Sequence, residues 1–242
     1  MNRRDFIRAS LAGAALFSMG EVFAKESSPQ QTYAQRTMKI DHRFDGLLDQ
    51  DGDSIQSRDL NDRYNLLFFG FVQCGPICPV ALPNISRTID KLEQKYHGNV
   101  DVRPLFMTTQ PLGDEPDLIK ALFKGMKLHE DFIGISARSL EQEFSRDRKV
   151  RQAAERRIKQ HQDILDRFEV LVKAQSRHSH AVHQSHHAPQ AYLMRPDGSF
   201  MSLIEVMSGP DKALQQIEEQ LNKDGINLES KKSKTFLNRF GF

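Results

Sequence analysis

Seven consecutive residues, Leu66-Leu67-Phe68-Phe69-Gly70-Phe71-Val72, carry no polar side chain, and past Gln73 they lead into Cys74-Gly75-Pro76-Ile77-Cys78-Pro79. An unbroken apolar run of this length fits a strand buried on both faces, which needs a layer of structure above and below it. Beyond Pro79 the apolar positions Leu82, Ile85, Ile89 and Leu92 recur at helical spacing. The two cysteines therefore sit where a central strand turns into a helix.

The rest of the chain can be read around that junction. Leu47-Leu48-Asp49-Gln50-Asp51-Gly52-Asp53 runs into an Asp-Gly turn and predicts a hairpin. A second strand is expected over 100–107. Asp114 stands where it can cap a helix carrying Leu118, Ile119, Leu122 and Phe123, and a short strand follows at 132–135. Residues 139–174 are long, charged and periodic. Leu140, Phe144, Val150, Ile158, Ile164, Leu165, Phe168, Leu171 and Val172 are expected on one face of a helix or bent helix pair: a solvated helix with a thin apolar stripe, or a surface for a partner. Segments 191–195 and 200–204, joined through Pro196-Asp197-Gly198-Ser199, predict a hairpin, and a helix over 210–221 closes the domain. Alternating strands and helices imply an α/β fold with a mixed sheet flanked by helices. With a cysteine pair at the start of the first long helix, this is the thioredoxin-like arrangement, extended by a long helical insertion before the final hairpin.

The length of 242 residues suits one good-sized domain with extensions. A formal charge of +2, with basic and acidic residues interleaved, argues against a nucleic-acid partner and gives no strong pull toward a membrane surface. Any membrane association is expected to be peripheral. Residues 1–24 read as an export signal: Arg3-Arg4-Asp5-Phe6-Ile7-Arg8 precedes a weakly apolar Ala- and Gly-rich run that closes on Val22-Phe23-Ala24. The pattern resembles a twin-arginine signal and predicts a periplasmic protein. A basic disordered N-terminus and an uncleaved anchor are the competing readings, and the apolar run falls well short of the ~20 residues a bilayer span requires. Residues 25–37 read as a flexible linker, 38–222 as the thioredoxin-like domain with 139–187 as its helical and His-rich insertion, and 223–242 as a basic tail.

Export changes how cysteines are read. Two cysteines in an oxidising compartment default to a disulfide. Cys74 and Cys78 are so close that a bridge would staple almost no chain, so their proximity argues for chemistry over stability. A helix N-terminus lowers thiol pKa values, and thiolate is the form that binds soft metals and attacks disulfides. The spacing is CxxxC rather than the CxxC of ordinary dithiol oxidoreductases.

The Phe68-Phe69-Gly70-Phe71 strand leading into Cys74-x-x-x-Cys78-Pro79, with His187 five residues before the Tyr of Tyr192-Leu193-Met194-Arg195-Pro196-Asp197-Gly198, resembles the Sco/SenC family over roughly residues 40–220. These are thioredoxin-fold copper chaperones that help assemble the copper centre of cytochrome oxidase. The resemblance implies a copper site on Cys74, Cys78 and His187. It also implies a cuproenzyme client, such as a cytochrome oxidase subunit, and a thiol reductant to keep the cysteines competent. Two thiolates favour Cu(I), and an added imidazole lets the site accept Cu(II) as well. Zinc suits the same ligands, but an open three-ligand zinc site usually serves hydrolysis, and nothing else here suggests a hydrolase. The motif departs from the family pattern in three places. No acid stands within Gly75-Pro76-Ile77, the family's Asp-His pair reads His186-His187, and its Ser-x-Asp-Pro stretch reads Thr108-Thr109-Gln110-Pro111 with Asp114 following.

The competing function is a thiol-disulfide oxidoreductase in which Cys74 attacks a partner disulfide and Cys78 resolves it without metal. Pro189, three residues before Tyr192, occupies the place where disulfide-exchanging relatives carry a cis-proline; the alternative is an ordinary loop proline. A peroxidase is a weaker third reading, since the threonine that peroxiredoxins place before the cysteine is missing. His178, His180, His183, His186 and His187 form a tract able to collect metal, or a polar loop with no specific role beyond His187. His42, His97, His129 and His161 read as surface or packing residues. The scattered methionines read as core rather than copper ligands.

Overall fold

The computed structural model describes residues 38–176 and 190–228. The stretches expected as signal and linker (1–37), the His178–His187 tract with Pro189, and the last part of the expected basic tail (229–242) lie outside the described residues. Five strands form one sheet: β1 (Tyr64–Gly70), β2 (Val102–Thr108), β3 (Ile133–Ile135), β4 (Ala191–Met194) and β5 (Phe200–Ile204), in the order β3-β2-β1-β4-β5. The β1 strand is central. It pairs in parallel with β2 from Tyr64↔Val102 to Gly70↔Thr108 and antiparallel with β4 through Leu67↔Tyr192. The β2–β3 pair is parallel and the β4–β5 hairpin antiparallel. The helices are α1 (Ser57–Leu60), α2 (Cys78–Tyr96), α3 (Pro116–Met126), α4 (Leu140–Glu143), α5 (Arg148–Ser176) and α6 (Pro210–Lys223).

Because side chains alternate along a strand, β1 feeds two cores. Leu66 and Phe68 point into a cluster with Leu82, Ile85 and Ile89 of α2 and Ile217 of α6. Leu67 and Phe69 point the opposite way, into a cluster with Phe44 and Leu47 before the sheet and Ile164, Leu165 and Phe168 of α5. The charged 139–174 stretch is thus not an appendage: the thin stripe on α5 is the layer that covers this second face. Phe69, Phe168 and Tyr192 meet there as a ring trio, with centroids 5.0, 5.4 and 5.3 Å apart.

Several expectations need correction. The 139–174 stretch breaks after α4, and α5 restarts with Asp147 accepting the Lys149 N–H at 2.7 Å. Leu140 and Phe144, expected on the apolar face, are exposed, Phe144 by 80%. Asp114 does not cap α3. Its N-cap is Glu115 in extended conformation with no side-chain bond, Pro116 opens the helix, and the Asp114 carboxylate is used elsewhere. The 47–55 hairpin is present only as a rudiment, with one bridge at Leu48↔Ser54 and flanking bonds from Ile55 N to Leu47 O and Asp49 N to Asp53 O. Packed structure continues past α6. Asp224 accepts from Tyr64 Oη and Arg195 Nε at 2.7 Å each, and Leu228 is buried against the first core.

Candidate metal and redox site

The site grows from the last residue of β1. An added Cβ on Gly70 would stand 2.7 Å from Cys78 Sγ and 2.8 Å from Phe106 Cε2, so only a glycine lets the sulfur lie against the strand. The chain turns at once, with Cys74 N bonding Phe71 O at 3.1 Å, and enters α2 at Cys78. Pro79 follows in the first turn, where a missing N–H costs nothing. The Cys78 N–H donates to Cys74 Sγ at 3.4 Å, which seats that sulfur over the start of the helix.

Neither cysteine is part of a disulfide, and the two differ in environment. Cys74 is half-buried, while Cys78 is 1% exposed. Burial pushes the Cys78 thiol well above its ordinary value. The Cys74 side chain and the Asp114 charge add to that rise, and the Phe71 backbone opposes it. The expectation that the helix terminus would favour thiolate is therefore overturned for Cys78, because desolvation outweighs the helix field there.

The loop is fixed from outside by a residue whose role the sequence did not disclose. Asp114 is 4% exposed, and its Oδ2 accepts from Val72 N at 2.9 Å and from Thr108 Oγ1 at 2.6 Å. Thr108 Oγ1 in turn accepts from Gln110 N at 3.0 Å, and Ser136 Oγ donates to Asp114 O at 2.7 Å. The loops leaving β1 and β2 are thereby tied together beside the cysteines. The sequence signal was a lone acid in a turn, which also fits a helix cap.

The histidines within the described residues do not join the site. His161 is fully buried on α5, and its Nε2–H donates to Thr108 O at 2.7 Å, leaving Nδ1 as a buried lone pair with no partner among the described residues. Burial lowers its pKa to about 4, only partly offset by the Thr108 bond, so the ring is neutral. His97 forms the left-handed C-cap of α2, and His42 is exposed beside Asp41. Glu93, His129 and Asp131 have ligand atoms within 4.8 Å of one another. Both ring nitrogens of His129 are already used: Asp131 N–H donates to Nδ1 at 3.2 Å, so Nε2 holds the proton and faces Glu93 at 3.2 Å. That cluster packs α2 against the loop before β3.

His187 lies outside the described residues. The register of β4 still bears on it. Since β4 runs antiparallel to β1, its first residue, Ala191, stands at the end of the sheet where β1 delivers the cysteine loop.

Residues 32–143 match the SCO1/SenC family model. Among characterised proteins, an SCO2-like protein of Rickettsia prowazekii is 28% identical over 68% of this chain and 68% of its own length. The mitochondrial SCO2 protein of Saccharomyces cerevisiae is 26% identical over 79% of this chain, and the match spans 58% of that protein. In fold, the chain is similar to copper-bound yeast Sco1, with a TM-score of 0.52 and 20% identity over 73% of this chain and 89% of that one. It is similar too to copper-bound ScoI of Arabidopsis thaliana, with a TM-score of 0.53 and 20% identity over 74% and 96%. The mixed sheet with flanking helices is thus the thioredoxin-like fold of these Sco structures.

Proposed function

We propose that this chain, whose residues 32–143 match the SCO1/SenC family model, is a copper metallochaperone of that family. Copper is its cargo, held by Cys74 and Cys78 and completed by His187. The chain delivers the ion to, or prepares the cysteines of, a cuproenzyme such as cytochrome c oxidase. The observation that carries this reading is the pair of unbridged cysteines where the loop after β1 enters α2, with the Cys78 N–H donating to Cys74 Sγ. Two sulfur donors so placed suit Cu(I), and an imidazole extends the site to Cu(II). The start of β4 at the same end of the sheet supports His187 as the third ligand. His187 stands only four positions before Ala191, a reach of up to ~14 Å. The copper-bound state of the yeast and Arabidopsis relatives points the same way.

The chain's own residues set the terms of loading. Cys78 rests as a buried neutral thiol, so taking up the ion requires its proton to leave. Cys74 is the accessible donor, placed to meet the incoming ion first and to release it to a client by ligand exchange.

The same asymmetry favours a second role on the same residues. In disulfide exchange, Cys74 thiolate attacks a client disulfide and releases one client thiolate. Cys78, once deprotonated, then attacks the Cys74 sulfur and releases the second. The client is reduced by two electrons, the chain leaves as the Cys74–Cys78 disulfide, and a thiol reductant restores it. Reducing a client's cysteines and then metallating them makes one continuous task.

Export through the twin-arginine route to the periplasm belongs to this reading. Residues 1–24 serve as signal and 25–37 as linker, the domain with its 139–187 insertion runs from 38 past the expected 222 to the packed Leu228, and the residues beyond form a basic tail. Among the described residues no helix is long and apolar enough to cross a membrane.

The test is Cu(I) binding by the reduced chain beside Cys74→Ser, Cys78→Ser and His187→Ala. About one tight equivalent is expected, lost in each cysteine variant and altered in the histidine variant. Copper held equally by both cysteine variants would remove the chaperone reading and leave disulfide exchange in its place.

A further inference from the structure

Arg157 lies part-buried on α5 with its guanidinium held only by neutral acceptors. Nε donates to the Ala137 carbonyl at 3.3 Å, and Nη2 to the Gln142 side-chain oxygen. Among the described residues it forms no ion pair. The acid that reaches it electrostatically, Glu143, is engaged by Arg138 at 3.2 Å. Burial accordingly pushes Arg157 below its ordinary pKa. A cation so placed has lost part of its water without gaining a counter-charge, which is unfavourable unless an anion arrives.

A place for one is open beside it. Arg157 and its exposed neighbour Arg156 line a groove of about 390 Å³ between α5 and the 46–54 hairpin, together with Gln142, Gln160 and Ser54. Among the described residues no Asp or Glu lines it. Of the nearby acids, Asp45 accepts from Ser57 N at 2.6 Å, Asp49 from the N–H groups of Asp51 and Asp53, and Asp51 pairs with Lys120 at 2.6 Å. Added Cβ atoms on Gly46 and Gly52 would meet nothing within 4 Å, so this wall is open. Gln160 spends its amide N–H groups on the carbonyls of Arg43 and Asp45, which holds that side of the groove in place.

We propose that this groove is an oxyanion site of the phosphate class, with Arg156 and Arg157 supplying charge and Ser54 a neutral donor. Donors on two walls suit a tetrahedral anion with acceptors on every side better than a planar carboxylate, which a single guanidinium satisfies edge-on. The phosphoryl group can be free phosphate or part of an anionic lipid headgroup.

The experiment titrates the full chain with inorganic phosphate, following chemical shifts in a phosphate-free buffer. Cosedimentation with phosphatidylglycerol vesicles in a phosphatidylcholine background forms the second arm. Arg156→Gln, Arg157→Gln, Arg157→Lys and Ser54→Ala are run in both. Saturable phosphate binding, weakened about tenfold or more in each Arg→Gln variant and less in Arg157→Lys, is expected for a free ligand. Vesicle binding with the same dependence and no response to inorganic phosphate assigns the headgroup. No saturable binding in either arm overturns the proposal. So does binding that Arg156→Gln leaves unchanged, since Arg156 is exposed and its substitution does not threaten the fold.

Discussion

The Asp114 carboxylate accepts the backbone N–H of Val72 across 42 positions of sequence, so the start of the cysteine loop is anchored to the loop that leaves β2. The same oxygen holds Thr108 Oγ1. Asp114→Ala leaves a buried N–H and a buried hydroxyl without that acceptor, and about 2–3 kcal/mol of stability should be lost. Asp114→Asn, which keeps an oxygen, should lose less. Urea unfolding of the three proteins checks this, and an Asp114→Ala midpoint equal to wild type would contradict it.

Gly70→Ala should destabilise the chain by about 1–3 kcal/mol, since its methyl meets both a sulfur and a ring edge. Copper affinity should fall with it, because the atom displaced is Cys78 Sγ. Gly125→Ala is the matched control. It lies in helix α3 with nothing within 4 Å of an added Cβ, and it should raise stability by up to about 1 kcal/mol. Thermal melts of the pair decide whether crowding at Gly70, rather than loss of a glycine as such, is responsible.

The two thiols should react at different rates. Cys74 is half-buried, while Cys78 is buried and held in its neutral form. Under limiting iodoacetamide near neutral pH, Cys74 should be alkylated about tenfold faster or more. Peptide mass mapping reads the ratio directly, and equal labelling would contradict the asymmetry on which the exchange mechanism depends.

His161 should make the fold acid-sensitive in a defined window. Its pKa falls from an ordinary 6.5 to about 4 in the folded chain, so the unfolded chain binds the proton more readily between those values. The stability tied to the neutral ring is complete above pH 6.5. It is lost progressively as pH falls toward 4, by an amount of order 3 kcal/mol. His161→Gln, whose amide can still donate to the Thr108 carbonyl, should flatten this part of the profile. Parallel profiles for wild type and variant would place the acid sensitivity elsewhere.

The junction of β1 and α2 was legible because apolar continuity, cysteines and helical spacing change over within a dozen residues. The hairpin at Pro196-Asp197-Gly198-Ser199 was legible because turn chemistry is local. Asp114 was misread since an acid before a helix serves equally as cap or as loop anchor, and only the folded neighbourhood of Val72 and Thr108 separates the two. The role of α5 was underestimated because a narrow stripe on a charged helix gives a weak periodic signal. That stripe needs to cover only one half of a sheet whose other side is covered by α2, α3 and α6. The burial of Cys78 depends on Gly70 and Phe106, residues distant in sequence from its helix turn, so no local pattern could report it. The groove at Arg156 and Arg157 has the same origin, since its far wall comes from residues about a hundred positions earlier.

The ring contact between Phe168 and Tyr192 joins two residues 24 positions apart in sequence. The five clustered histidines all lie between these two residues in sequence, and the two ring centroids are 5.3 Å apart. Closing such a loop costs free energy that grows only with the logarithm of its length, about 0.6 kcal/mol per doubling. Its length can therefore drift over evolution at little cost to the body of the fold. In the proposed copper site, the approach of His187 to the thiols would be set instead by the four positions between it and Ala191, which would make that stretch, and not the tract as a whole, the part whose length the chemistry constrains.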